Sequence, residues 1–235
     1  MSRIALIADI HGNVWALRAV IGDLDRRGIT AVYDLGDSLL GPLAPRETCE
    51  LLMERGIPSL RGNDDLALLS VEGLSASGQY ARARLTERHF EWLLALPGTR
   101  RIGDLLVCHG TPHSENDFLL DEPTAQGARL RPAAEVERLL GGERARIVAC
   151  GHTHMPRLVR VQDGTMVVNP GSVGLPAWSG HGAGIESGSP HARYAVIEGD
   201  SVEHIAVAYE WSEAAAQAGA NGQSDWAHWI STGRM

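Results

Sequence analysis

The sequence predicts an α/β fold, on three observations. Short apolar runs alternate with amphipathic stretches through the first third of the chain. Each of those runs ends in a polar turn that contains glycine. The second half changes to closely spaced strand pairs joined by tight turns. The first two features argue for a mostly parallel sheet, in which functional side chains gather at the carboxyl ends of strands.

The first strand is expected at 4–8, an unbroken apolar run suited to burial on both faces. Val14, Leu17, Val20, Ile21 and Leu24 recur at helical spacing, which predicts a helix over 14–27 with Gly28 as its stop. A second strand, 31–35, ends in Gly36-Asp37. A second helix covers 45–55 and closes at Gly56, and a third strand, 57–60, ends in Arg61-Gly62-Asn63-Asp64-Asp65. One helix is expected over 79–96, up to Pro97-Gly98. Two short strands around Gly103-Asp104 then run into His109-Gly110.

Residues 111–131 mix acids, proline and glycine and read as a long loop or small cap. A short helix at 132–140 and a strand at 146–149 lead into Gly151-His152-Thr153-His154. Strands at 157–161 and 166–169 flank Gln162-Asp163-Gly164, and strands at 194–197 and 202–207 flank Gly199-Asp200. Between these hairpins, 179–190 is rich in glycine, serine and histidine and is expected to be a mobile loop. The chain closes with a helical extension, 211–235, whose Trp226-Ala227-His228-Trp229 segment offers either core docking or an interaction patch. No repeat or linker divides it, so a single domain over 1–235 is expected.

The formal net charge of −8, from 21 basic and 29 acidic residues, gives no basic field for nucleic acid or an anionic membrane. The three cysteines, Cys49, Cys108 and Cys150, form no Cys-x-x-Cys pair and read as small buried thiols rather than disulfides or a zinc site. No apolar run is long enough to span a bilayer, and no secretory leader is visible. A soluble cytoplasmic protein is expected, with oligomeric state open.

The chemistry lies in the strand-end turns. Asp9 and His11 are two residues apart, so in extended backbone their side chains leave the same side. A carboxylate and an imidazole so placed can hold a divalent ion, or can be a helix-capping Asp and a surface His. Asp37, Asn63, His109, and His152 with His154 follow at later strand ends. Buried carboxylates and imidazoles need partners, and a metal is one they can share.

In order, the chain reads Asp9-Ile10-His11, Gly36-Asp37, Gly62-Asn63-Asp64-Asp65, His109-Gly110 and Gly151-His152-Thr153-His154, with Gly41-Pro42 and Asn169-Pro170-Gly171-Ser172-Val173-Gly174 between and beyond. This set resembles the calcineurin-like metallophosphoesterase superfamily, closest to its small bacterial phosphoesterases. The resemblance implies a two-sheet β-sandwich flanked by helices, in four layers α-β-β-α. It implies one metal held by Asp9, His11, Asp37 and His154. A second would be held by Asp37, Asn63, His109 and His152, with Asp37 bridging. Two divalent transition-metal ions are expected, manganese first, with iron, cobalt or zinc as alternatives. Against two carboxylates they leave a formal charge of about +2, which suits phosphate.

The activity implied is hydrolysis of a phosphate mono- or diester by in-line attack of a metal-bridging hydroxide. The substrate is expected to be small and nucleotide-like, dinucleoside polyphosphates included. The alternative is a non-catalytic metal-binding scaffold of the same fold. Asp37, Asn63, Asp64 and His109 are the expected catalytic residues. The chain departs from the pattern at Asp64, where many relatives carry a histidine thought to assist the leaving group. Asp64 can act as an acid only with a raised pKa, whereas nearby metals would lower it. Good leaving groups would then be favoured. Asn13, Arg46, His113 and His181 are candidate substrate contacts. Their competing readings are a helix cap for Asn13, a surface ion pair for Arg46 and an exposed loop histidine for the others.

Overall fold

The computed structural model describes residues 3–70, 72–124, 127–180 and 183–235. The first half contains β1 (Ile4–Ile7), α1 (Val14–Arg27), β2 (Ala31–Asp34), α2 (Pro45–Glu54), α3 (Asn63–Leu69), α4 (Ala76–Arg82), α5 (Glu87–Ala95), β3 (Thr99–Ile102) and β4 (Leu105–Cys108). The second half contains β5 (Asp121–Thr124), β6 (Gly127–Leu130), α6 (Ala133–Leu139), β7 (Ile147–Ala149), β8 (Pro156–Arg160) and β9 (Met166–Pro170). It ends with β10 (Ala177–Gly180), β11 (Ala183–Glu186), β12 (Ala192–Glu198), β13 (Ser201–Val207), α7 (Trp211–Ala220) and α8 (Ser224–Thr232).

The alternation of side chains along each strand builds the layers. In β1, Ala5 and Ile7 join Leu17, Val20, Leu24 and Leu52 of α1 and α2, while Leu6 and the following Ala8 turn to the opposite face. There they meet Leu105 and Val107 of β4, Ile147 and Ala149 of β7, and Met166 and Val168 of β9. The odd partners on those strands, Leu106, Val148 and Val167, pack outward against Val136 of α6. The order is therefore helix, sheet, sheet, helix, and the four-layer expectation holds. Truncating Leu6, fully buried between the sheets, to alanine would cost about 2–5 kcal/mol.

One sheet runs β13-β12-β1-β2 and the other β3-β4-β7-β9-β8. The mostly parallel sheet expected from the strand-helix alternation is corrected: only β1–β2, β4–β7 and β7–β9 are parallel among these strand pairs. The consecutive pairs β3–β4, β8–β9 and β12–β13 are joined by connections too short for a crossover, such as Gly103-Asp104 and Gly199-Asp200, and so return antiparallel, while β12 comes back from late in the chain to lie antiparallel to β1.

Three further corrections are local. Residues 57–60 contribute a single bridge, Asp34 to Ser59, rather than a strand. Pro58 has no N–H to extend the ladder. The long helix over 79–96 is two, because Thr86 starts α5 with a capping box closed by His89. The expected loop over 179–190 holds most of the β10–β11 hairpin, and the 111–131 stretch holds β5–β6. The three cysteines are free and buried, and no helix among the described residues is long and apolar enough to cross a membrane.

Candidate metal centre

Backbone geometry singles out the site. Among the described residues, the non-glycine positions with positive φ are Asp9 (54°), His11 (51°), Asp37 (55°), His152 (71°) and His154 (62°). A left-handed backbone costs an L-residue about 1–2 kcal/mol. Here the surrounding hydrogen bonds hold it. Asp9 and His11 donate their N–H groups to the carbonyls of Gly36 and Asp37 at 2.9 and 3.0 Å, so the first two turns continue side by side beyond the strands. The Ser172 hydroxyl donates to the Asp9 carbonyl at 2.7 Å. Asp65, fully buried, accepts from the N–H groups of Asp37, Ser38 and Gly62 and ties the second and third turns together. Gly62 lies so close to Asp37 that a Cβ would sit 2.1 Å from Oδ1.

The side chains so presented form two neighbouring trios. Asp9, His11 and His154 each bring one ligand atom within 4.8 Å of the others, and so do Asp37, His109 and His152. A third grouping, His11, Asp37 and Asp64, links them. Three imidazoles are oriented from behind. His11, His109 and His154 place Nδ1 at 2.9, 2.9 and 2.7 Å from the carbonyls of Leu40, Leu35 and Leu175. Donation there orients each ring and turns Nε2 to the centre. His152 uses Nε2 instead, 3.0 Å from the Asn116 carbonyl, leaving Nδ1. Asn63 Oδ1 lies 3.1 Å and Asp37 Oδ2 3.2 Å from His109 Nε2.

Burial and mutual proximity set the protonation. Burial lowers the His11, His152 and His154 imidazoles, His152 to about 4, and so favours their lone-pair forms. Burial also raises the Asp9 carboxyl, with the Asp37 carboxylate adding to it. At His109 burial opposes charge, but Asp37 outweighs it and pushes the imidazole up to about 10. The donor set fits divalent cations: carboxylate oxygens, imidazole nitrogens and one amide oxygen converge with no thiolate among them. In particular, His11 Nε2 and His154 Nε2 face each other at 3.1 Å with both Nδ1 positions engaged by carbonyls. Two ring nitrogens so close are satisfied by a proton or a metal cation shared between them.

His11, Asp37, His152 and His154 of the centre line a cavity of about 870 Å³, with Asn63 and Asp64 also on its wall. Asp64 accepts from Asn63 Nδ2 at 3.2 Å and lies 3.7 Å from His11 Nδ1. Other sequence candidates lie elsewhere. Asn13 is fully buried, caps α1 through Ala16 N and donates to the Gly174 carbonyl and the Tyr209 hydroxyl. Arg46 pairs with Glu50 on the exposed side of α2, a turn apart, and His113 points to the Leu140 carbonyl. None of these three lines the cavity. His181 lies outside the described residues.

The model of the calcineurin-like phosphoesterase superfamily domain matches residues 2–187. The chain belongs to that superfamily. Solved structures agree with it in fold over nearly the full length. A metallophosphoesterase from Sphaerobacter thermophilus superposes with TM-score 0.79 at 25% identity, covering 98% of this chain and 99% of that one. A hypothetical protein of Pyrococcus horikoshii also superposes with TM-score 0.79, at 21% identity and 99% coverage of each chain. An uncharacterised protein of Methanocaldococcus jannaschii is 39% identical over 79 residues, which is 34% of this chain and about a third (32%) of that protein's length.

The matched calcineurin-like region ends before β12, so α7 and α8 lie beyond it. Yet Trp226 and Trp229 of α8 wall the cavity, together with Phe118 and Trp178. Sequence reasoning missed all four as site residues. The spacing of the two α8 tryptophans, three apart on one helix face, was the available signal. Asp65 and Asn116 were missed too, since their contacts are to backbone and leave no pattern in the sequence.

Proposed function

We propose that the chain is a dinuclear-metal phosphoesterase that hydrolyses a phosphate mono- or diester by in-line displacement. The carrying observation is the pair of trios, Asp9–His11–His154 and Asp37–His109–His152, of which His11, His154, Asp37 and His152 line one cavity. Asp9, His11, Asp37 and His154 would hold one ion, and Asp37, Asn63, His109 and His152 the other. Asp37 has an oxygen for each. Two divalent ions would stabilise negative charge on the phosphoryl oxygens and lower the pKa of a water toward ~7.

The chain's own residues do the rest. The carbonyls of Leu35, Leu40 and Leu175 keep three imidazoles aimed inward. Asp65 keeps Asp37 in place through backbone N–H groups. Asp64, on the cavity wall next to Asn63, is a carboxyl that could pass a proton toward a leaving group, an ability that bound cations would weaken by lowering its pKa. Nitrogen and oxygen donors without thiolate suit manganese, iron, cobalt or zinc, and manganese is put first on the family resemblance alone. A small phosphorylated substrate and a cytoplasmic setting complete the reading.

The test is a substrate panel on metal-stripped protein reloaded with manganese, iron, cobalt or zinc. Metal-dependent release of phosphate or of an alcohol supports the proposal. Metal binding without turnover of any ester would favour the scaffold alternative.

A further inference from the structure

The cavity above the metal centre has a composition that selects its occupant. Rings follow one another around it. Trp226 meets His11 edge-on at 5.9 Å, and His11 lies 4.9 Å from His154. Trp178 meets His154 edge-on at 6.0 Å and runs nearly parallel to Phe118 at 6.3 Å. Phe118 stacks on His152 at 4.2 Å and 21°. Trp229 extends the wall from Trp226 at 6.2 Å. A rim of aromatic side chains thus joins both trios on the solvent side.

The second property is charge. Among the described residues, no arginine lines the cavity, and the chain contains no lysine. The arginines nearest in sequence to lining residues are engaged elsewhere. Arg61 pairs with Glu115 at 3.1 Å, and Arg157 pairs with Asp121 at 2.8 Å. Asp64 and Asp225 add negative charge to the wall, and the remaining polar groups include Ser75, Ser77 and Gln223, all neutral. Among the described lining residues, no cationic side chain would add to the two proposed ions in compensating further phosphates. A residual charge of about +2 at the centre matches one phosphate and not a chain of them.

We propose that the site takes a single phosphate whose organic substituent is a flat, uncharged aromatic ring system such as a nucleobase-bearing sugar. The ring lies against Trp178 and Trp226, with the C-terminal helix α8 as the specificity wall. The proposal rests on the phosphoesterase reading for the phosphate and on the rim alone for the ring. It narrows the substrate class away from dinucleoside polyphosphates.

Adenosine 5′-monophosphate and ribose 5-phosphate differ only in the base, so they isolate the ring. Calorimetry on the manganese-loaded full chain gives their dissociation constants, and phosphate release gives kcat/KM. Stacking of a base on an aromatic side chain corresponds to about a tenfold effect. The expected result is at least tenfold tighter binding of the nucleotide, with that ratio falling toward one in Trp226→Leu and Trp178→Leu. Trp226→Phe restores the ratio, and circular dichroism establishes that each variant is folded. Adenosine 5′-triphosphate, with manganese in excess, binds no tighter than the monophosphate. Equal binding of nucleotide and sugar phosphate overturns the proposal, as does a ratio unchanged in both folded leucine variants. Tighter binding of the triphosphate overturns its charge half. If no ester is turned over but the base-dependent binding is present and lost in the leucine variants, the phosphoesterase reading fails and the aromatic slot stands.

Discussion

His11 and His154 stand 143 positions apart in the chain, yet their Nε2 atoms lie 3.1 Å from each other. Both rings are held by carbonyls behind them, of Leu40 and Leu175. Folding alone therefore brings two basic nitrogens together, and a shared proton or a bound metal cation is what makes their proximity favourable. Adding manganese to stripped protein is expected to raise the melting temperature, by about 2.7 kcal/mol of stability at a hundredfold excess over Kd. The gain should shrink in His154→Ala. A thermal melt with and without metal checks this, and identical curves would count against the centre.

Asp37 presents one oxygen to Asp64 N at 2.8 Å and the other to His109 Nε2 at 3.2 Å. Replacing it with asparagine keeps the shape and removes the charge both ions would share. Asp37→Asn is expected to lose about 10²–10³-fold in kcat, with bound metal falling below two ions per chain by elemental analysis. Full turnover would refute the bridging role.

Asp64 stands on the cavity wall where the motif resemblance implies a histidine, and its side chain is about a third exposed (29%). Aryl phosphates, whose leaving groups need little protonation, should be turned over faster than alkyl phosphates. Asp64→His is expected to raise the alkyl rate several-fold and leave the aryl rate within about threefold. Parallel kcat measurements on the two ester types decide it, and equal rates in the parent chain would go against the idea.

Asn169 supports the last turn from below. Its Nδ2 donates to the Gly151 carbonyl at 2.7 Å and to Thr153 Oγ1 at 3.1 Å, while its Oδ1 accepts from Gly171 N at 2.8 Å. The side chain is fully buried. Asn169→Ala leaves several polar groups without partners and should cost about 2–3 kcal/mol in urea unfolding. It should also weaken metal binding, because His152 and His154 flank Thr153.

A pH effect is expected far from the centre. Tyr194 donates to Asp23 Oδ2 at 2.5 Å, and Arg27 donates to the same oxygen at 2.8 Å. Burial raises the Asp23 carboxyl, but these bonds outweigh it and hold the group below its ordinary range. A folded pKa below the unfolded one stabilises fully above about 3.9, and the contribution is lost as pH falls through the lowered value. Tyr194→Phe should therefore cost about 1–2 kcal/mol at pH 7, and less at pH 3. Urea titrations at the two values measure the difference.

Much of this was readable from residues. The run Ile4 to Ala8 marked a strand buried on both faces, and the order of Asp9, Asp37, Asn63, His109 and His152 marked the turns that meet. The helix after Gly62 was not readable, because Asn63-Asp64-Asp65 looks like a turn until Asp65 is seen closing back on Gly62 N at 3.0 Å. Nor was the parallel or antiparallel choice within the sheets, which depends on partners distant in sequence. The glycine-rich stretch around Trp178 gave no strand signal, since its pairing comes from the facing residues 183–186 and not from β-propensity. The aromatic rim escaped notice because its members come from three separate segments.

The five left-handed turn residues carry a final implication. At each of them, glycine would relax the backbone while deleting a side chain proposed to hold metal. A descendant released from the need to hold metal would gain folding stability from such replacements, at just the positions where activity is lost. Asp9→Gly or His152→Gly that melted above the metal-free parent would show that the inactive form of this fold lies downhill, and that only retained chemistry keeps the chain from drifting there.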